Sequence, residues 1–377
     1  MIYIFVFVLS MFFAHIADLV KQHNNKLLYF IFSAICISLP VILAGARDYN
    51  FVGTDSSNYY TIFSRAVNSD SFSKMRIAGF SDMEIGFQYL VYLISRISSR
   101  SFVFFGIIQL LTILPVYIAI HQFPVKISTP LGLLVYYTLF FNSSLNIARQ
   151  AIVLSFFLLA IVYMIKKRYL LFWVLITVSF LIHRTALLGI PVFFFYLMSQ
   201  KFPIRTHLAI NIVSMLFLAA LFIYILNSTN LLNILINQRE VYSNYIDADT
   251  ESTISLSSLF LYLYVFIRFC ISGKRLNETD MDFFIFMSIC AVLVIFLTLF
   301  GQVMSRFVTF FTICYIISIP YVNKHVSNVN KHRRTNSIRD SFTIEMIILL
   351  CAMWYFSIVL RGSNATYPYV SLLFQPF

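Results

Sequence analysis

Charge is what this chain has least of. Asp, Glu, Lys and Arg make up 11% of its 377 residues, and apolar side chains make up 60%. Soluble domains carry roughly 25% charge, so a soluble fold is excluded. Apolar segments of spanning length recur along the whole chain, and an all-α polytopic membrane protein is expected. Glycine is also sparse, with ten residues, and none forms a Walker motif or a dinucleotide loop. The five cysteines (Cys36, Cys270, Cys290, Cys314 and Cys351) all fall inside apolar runs. They are placed for neither loop disulfides nor a Cys-x-x-Cys metal site, and read as packing residues. The amino end, MIYIFVFVLSMFFAHIADLV, lacks a basic n-region and a small-residue cleavage site, and reads as a retained helix. The basic runs are short and carry no base-stacking aromatics, which excludes nucleic acid as a partner. The two halves lack matching hydropathy interruptions, which argues against a transporter built from repeats.

What is present is a ladder of apolar runs. They cover 2–20, 27–46, 102–120, 131–145, 146–165, 169–183, 185–199, 208–226, 256–273, 281–300, 303–322 and 342–360. They predict about twelve transmembrane helices in one integral membrane domain, 1–377. The run 86–98 is too short to cross and is expected to lie at the interface. The positive-inside rule places both termini outside. Lys21, Lys26, Lys126, the KKR at 166–168, the GKR at 273–275 and the basic loop 323–341 then lie inside. Every lysine but Lys74 falls on that side, where membrane lipids with anionic headgroups are expected partners. The outward set is otherwise arginine: Arg47, Arg65, Arg76, Arg96, Arg100, Arg149, Arg184, Arg239, Arg306 and Arg361. Arginine offers a planar fork for phosphate or carboxylate where lysine is a point charge. An outward cavity that binds an anionic group is the sharper reading, with snorkelling at helix ends as the alternative.

Three polar constellations project outward. In GARDYNFVGTDSSNYYTIF, Arg47 and Asp48 sit at the exit of the second apolar run. Gly53, Thr54 and Asp55 there signal a turn and a helix start, with Asn58 and Tyr59 in its first turns. In NIARQAIVLSFF, Asn146, Arg149 and Gln150 share one helical face. The segment between Pro130 and Asn142 spans only about 17 Å of a roughly 30 Å core. Its hairpin is therefore expected to turn below the outer surface, with Arg149 lining a watery depression. In SFLIHRTALLGI, His183 and Arg184 interrupt an otherwise uncharged run, which costs about 2.5–3.5 kcal/mol per ionised group at the bilayer centre unless it is used or paired. His183 is the one histidine on the arginine-rich side, so neither a metal nor a cofactor is expected. Further outward groups are Asp82, Glu84, Gln302, Arg306 and Arg361, and the loop 227–255 reads as a candidate lid.

An outward site has no access to ATP or nucleotide sugars. A substrate arriving there already activated would be a lipid-linked diphosphate. Arginines could hold the diphosphate and stabilise charge growing on it, while one carboxylate or histidine takes a proton from an attacking hydroxyl.

At these residues the chain resembles the EpsG-like branch of bacterial polysaccharide polymerases, the Wzy-type O-antigen polymerases. The pieces that carry the resemblance are RDYNFVGTDSSNYYTIF, MEIGFQYLVYLI, the long run from LNIARQAIVL to FLIHRTALL, RFVTFFTICYIISIP and the late YPYV. The resemblance implies a GT-C-like glycosyltransferase of the bacterial inner membrane, with short interfacial helices over 47–101 on the periplasmic side. It would join undecaprenyl-diphosphate-linked oligosaccharide repeat units at the periplasmic face without a metal, with a chain-length regulator as a candidate partner. It also implies a catalytic set of Arg47, Asp48, Asp55, Glu84, Arg149, His183 and Arg306, in which Arg149, Arg306 and Arg47 hold the diphosphate. His183, Asp55, Asp48 and Glu84 compete for the role of base. Asn58, Tyr59, Asn146, Gln150, Arg184, Gln302, Arg361, Tyr367 and Tyr369 are candidate substrate contacts. The alternatives are an O-antigen ligase-like enzyme in the same cavity, or a lipid-linked oligosaccharide flippase. The near-uncharged inner halves of the helices argue against the flippase.

Overall fold

The computed structural model describes residues 2–77, 83–202, 254–273, 279–300, 305–333 and 337–372. Among them the chain is helical throughout, apart from turns and an isolated antiparallel bridge between Arg47 and Ser371. It forms two compact units, Met1–Leu187 with Tyr315–Phe377, and Leu188–Cys314.

The first unit is built on long apolar helices. Helix α1 (Ile2–Gln22) packs on α2 (Lys26–Gly45), whose amino end is capped by Asn25 accepting from the Leu28 N–H at 3.1 Å. Helix α3 (Ser56–Val67), α4 (Phe72–Ile77) and α5 (Ile85–Ile97) follow, then α6 (Ser101–Gln122). Helix α7 (Thr129–Tyr136) is capped by Ser128 and runs through a widened π turn, Tyr137–Phe141, into the short α8 (Asn142–Ser144). Helices α9 (Ala148–Ile165) and α10 (Tyr169–Ile182) come next, and a 3₁₀ turn begins at Arg184. The unit is completed by α15 (Tyr315–Arg333), α16 (Ser337–Trp354) and a π turn, Tyr355–Leu360. The second unit holds α11 (Gly189–Lys201), α12 (Leu256–Gly273), α13 (Thr279–Val294) and α14 (Ser305–Thr312), with Ala291, Ile295 and Val308 at its core.

Six helices among the described residues are long and apolar enough to span a membrane: Ile2–Gln22, Lys26–Gly45, Ser101–Gln122, Ala148–Ile165, Arg306–His325 and Phe342–Leu360. The chain is thus an all-α membrane protein, but the expected count of about twelve spans is not reached among the described residues. Helix α10 has 14 residues and stops at His183, which is too short. The runs 131–145, 185–199 and 281–300 also fall short, with helices of 8, 13 and 16 residues, whereas the run 303–322 turns at Ile313 and Cys314 within the span Arg306–His325. The run 208–226 and the candidate lid 227–253 lie outside the described residues. The segment 323–341, read as a loop, is helical up to Arg333 and again from Ser337, because its polar residues continue α15 rather than end it.

The short helices α3 and α5 are amphipathic, and their spacing explains their place. Tyr59, Ile62, Phe63 and Ala66 line one face of α3, and Phe87, Val91 and Ile94 line one face of α5. Both stripes bury themselves with Phe104, Phe105 and Ile108 of α6 and with Ala148 and Ile152 of α9. Each buried Phe in such a cluster contributes roughly 1.5–3 kcal/mol. This small core supports the polar residues at that end of the helices.

Candidate functional site

Glu84 is the meeting point. It precedes α5 in an extended conformation, and its carboxylate reaches two other elements. Oε2 accepts from Nη1 of Arg149 at 2.7 Å, on the first turn of α9. Oε1 accepts from the backbone N–H of Arg184 at 3.2 Å and lies 3.7 Å from Nδ1 of His183. The Arg149 guanidinium also stands over the Phe87 ring, 5.9 Å from its centre. Burial alone would push the Glu84 carboxyl up, but the charges of protonated His183 and of Arg149, with backbone N–H donors, outweigh it and hold it below its ordinary value. Glu84 is therefore ionised at neutral pH and serves as an anchor for Arg149 and for the turn that carries His183 and Arg184.

Gly86 makes this approach possible. A Cβ there would collide with the Leu181 carbonyl at the end of α10, so only glycine lets the start of α5 sit against the end of α10. The Glu-x-Gly-Phe motif thus places a carboxylate, a close approach and a packing ring in four consecutive residues.

His183 has its own orienting partner. The backbone N–H of Thr185 donates to Nδ1 at 3.3 Å, and the Thr185 hydroxyl lies 3.2 Å from the same nitrogen. A backbone N–H can only donate, so neutral His183 carries its proton on Nε2. It then presents an N–H donor, not a lone pair, on its far side. Protonation of Nδ1 redirects that edge toward Glu84.

Arg47 and Asp48 lie elsewhere in the same end of the unit, and both are buried. The Arg47 guanidinium donates to the Ala44 carbonyl at 2.9 Å and the Leu145 carbonyl at 3.1 Å, and stacks 4.0 Å from the Phe105 ring centre. Burial lowers its pKa to about 10, which leaves it charged at neutral pH. The carboxyl-terminal tail closes over this pair. Asp48 N–H donates to Val370, Leu372 N–H to Ala46, and the Tyr369 hydroxyl to Leu43. Tyr3 of α1 donates to Thr366 at 2.7 Å, so the start of α1 and the tail meet at one end. Asp48 also accepts from the Asn50 N–H at 2.9 Å.

Asn146 joins two of the polar stretches. Its Oδ1 accepts from the Thr54 hydroxyl at 2.7 Å and the Asp55 N–H at 2.8 Å. Leu145 accepts from both Arg47 and the Ser56 hydroxyl. The loop before α9 is thereby fastened to the start of α3, and Arg149 follows three residues after Asn146. Asp55 is half-buried at the start of α3, and Asn58 is exposed.

Several expected contacts take other places. Tyr59 is a core residue, edge-on to Phe87 at 5.8 Å. Gln150 is buried. Arg361 and Tyr367 are exposed, with the Arg361 guanidinium 4.6 Å from the Phe356 ring centre. Arg184 is half-buried, and its Nη1 has no hydrogen-bond partner among the described residues. Arg306 belongs to the second unit, on the first turn of α14. Asp82 and Gln302 lie outside the described residues. Among the described residues no three His, Cys, Asp or Glu side chains gather as a metal site.

The model of the EpsG family matches residues 30–371, which takes in Arg47, Glu84, Arg149 and His183. The chain belongs to the EpsG family. No curated protein and no solved structure matches it. In this EpsG-family protein the residues missed by sequence reasoning are those that fasten others. Besides Thr185 and Gly86 they include Asn142, which accepts from the Trp354 indole at 2.8 Å and donates to the Thr366 hydroxyl at 2.9 Å. A polar side chain in the apolar FFNSS stretch was the available signal.

Proposed function

We propose that this membrane protein polymerises polysaccharide by glycosyl transfer from a lipid-linked diphosphate, undecaprenyl diphosphate, at the periplasmic face of the inner membrane. Family membership supports the polymerase-like role. The observation that carries the chemistry is the Glu84 carboxylate held between Arg149 and His183. Glu84 fixes the Arg149 guanidinium, and His183 lies beside the same carboxylate. Arg149 and the Nε2–H of His183 together offer donors to a diphosphate leaving group. In the reaction the hydroxyl oxygen of the next repeat unit forms a bond to the anomeric carbon of the growing chain. The bond from that carbon to the diphosphate oxygen breaks, and its electron pair stays on the diphosphate. The hydroxyl proton passes to a carboxylate. Asp55 is the candidate base, since Glu84 is engaged and Asp48 is buried beneath the tail. Arg47 acts as a positioning residue, because its guanidinium is committed to two backbone carbonyls. Arg306 and the GT-C-like architecture belong to the same proposal by resemblance.

The test is reconstitution in nanodiscs with the lipid-diphosphate-linked repeat unit, in EDTA, with products read as a ladder on a gel. Removing a donor aimed at developing charge costs roughly 10²–10³ in rate. Arg149→Ala and His183→Ala are expected to lose the ladder while remaining folded. A wild-type protein that makes no ladder but moves the lipid-linked substrate across the bilayer would refute the polymerase reading.

A further inference from the structure

Far from the Glu84 cluster, at the opposite end of the first unit, α2 and α6 enclose a groove of about 440 Å³. Its floor and walls are apolar: Phe30, Ile37, Leu110, Leu114 and Ile118. One end is polar. There the Ser33 and Tyr117 hydroxyls pair at 2.7 Å, and the His121 ring lies between Tyr29 and Tyr117 at centroid distances of 5.9 and 4.3 Å. Gln122 closes that end and accepts from the Lys166 ammonium at 2.8 Å. The Lys21 ammonium sits 5.2 Å from the centre of the Tyr29 ring. Lys26 stands three and four residues before Tyr29 and Phe30, on the same face of α2. The facing carboxylate, Asp18, is engaged by Thr129 through its N–H and hydroxyl and stands 3.5 Å from Nε2 of His121.

Leu110 to Gln122 covers about 18 Å of helix, close to the roughly 15 Å that one leaflet contributes to a 30 Å hydrocarbon core. The groove has the length of one acyl chain, and three lysines stand at the end where a headgroup would lie. We infer that this groove is a binding site for an anionic phospholipid, with one acyl chain along Phe30, Ile37 and Leu114 and its phosphate among Lys21, Lys26 and Lys166. An uncharged helix surface would take any lipid. The lysine rim selects a phosphate without a compensating cation. The inference does not depend on the glycosyltransferase reading.

The test uses the full chain, purified in mild detergent and offered equal amounts of phosphatidylglycerol and phosphatidylcholine with the same acyl chains. Native mass spectrometry counts the retained lipid. Each basic residue near an anionic surface changes affinity by roughly fivefold, so wild type is expected to retain phosphatidylglycerol at least about tenfold over phosphatidylcholine. The Lys21→Gln/Lys26→Gln/Lys166→Gln variant is expected to bind both lipids equally. Ala34→Trp, on the exposed groove wall, is expected to lose tightly bound lipid of either kind, and Ser38→Phe replaces it if it does not fold. Equal retention of the two lipids by wild type would overturn the inference, as would a preference that survives both kinds of variant. An undecaprenyl diphosphate that displaces phosphatidylglycerol at equal concentration would overturn it too, by making the groove a substrate site.

Discussion

Replacing Glu84 with Gln removes one charge and keeps an acceptor for the Arg184 N–H, so the substitution isolates the ion pair. The Arg149–Glu84 contact is 2.7 Å long, and the two side chains retain only 21% and 11% of their exposure. Exposed pairs contribute about 0.2–1 kcal/mol. Breaking a fully buried pair costs about 3–5 kcal/mol, because a charge is left without its partner. A mostly buried pair falls between, at about 2 kcal/mol for Glu84→Gln. Arg149→Met removes the stranded cation, so the double variant is expected to recover about 1–2 kcal/mol relative to the sum of the single effects. Unfolding in mixed SDS micelles, followed by the fluorescence of Trp173 and Trp354, measures all four proteins. The sign with pH follows from the depressed Glu84 carboxyl. Its contribution is fully present above the ordinary value near 4.5 and is lost as pH falls through the lower folded value. Wild type should lose stability across that window, and Glu84→Gln should not lose this share. Additive single variants, with a coupling under about 0.5 kcal/mol, together with identical acid profiles, would refute the reading of Glu84 as the anchor of Arg149 and His183.

Arg47→Ala strands the Ala44 and Leu145 carbonyls and empties a buried volume, and should cost about 2–4 kcal/mol; Arg47→Lys should not restore it, since one ammonium cannot replace the planar fork. The yield of monodisperse protein and the unfolding midpoint report both. Gly86→Ala forces α5 away from the Leu181 carbonyl and should cost about 1–3 kcal/mol, with ladder formation falling further than stability explains because Glu84 moves with the helix. Asn142→Leu leaves the Trp354 indole without its acceptor and should cost about 1–3 kcal/mol, visible as a shift in tryptophan emission.

Residues were legible in the sequence where cost is local. His183 and Arg149 stand out because an ionisable group among apolar neighbours demands a use, whatever the fold. Asp55 and Gly53 announce a turn and a helix start through backbone chemistry alone, and Gly53 does adopt a φ of +91°. The short run 86–98 was readable as a non-spanning helix for the same reason, and its register shows which face is apolar. Span count was less legible. Hydropathy marked the stop of α10 at His183 but could not show that the run 131–145 gives only an eight-residue α-helix before its π turn, since backbone geometry and not polarity ends that helix.

The grouping of the polar residues was a matter for tertiary structure. Arg47 and Arg149 look alike in sequence, each an arginine at the end of an apolar run. Packing buries one against backbone carbonyls and aims the other with a carboxylate from a different helix. Glu84 looked like one of four rival bases, yet its neighbours across 65 and 100 residues of chain make it the anchor. Sequence determined that this protein lives in a membrane, because transfer free energy is a sum over local side chains. Only the tertiary structure decided which arginine is committed to backbone carbonyls and which to a carboxylate, because burial and pairing depend on what distant segments bring to the same place.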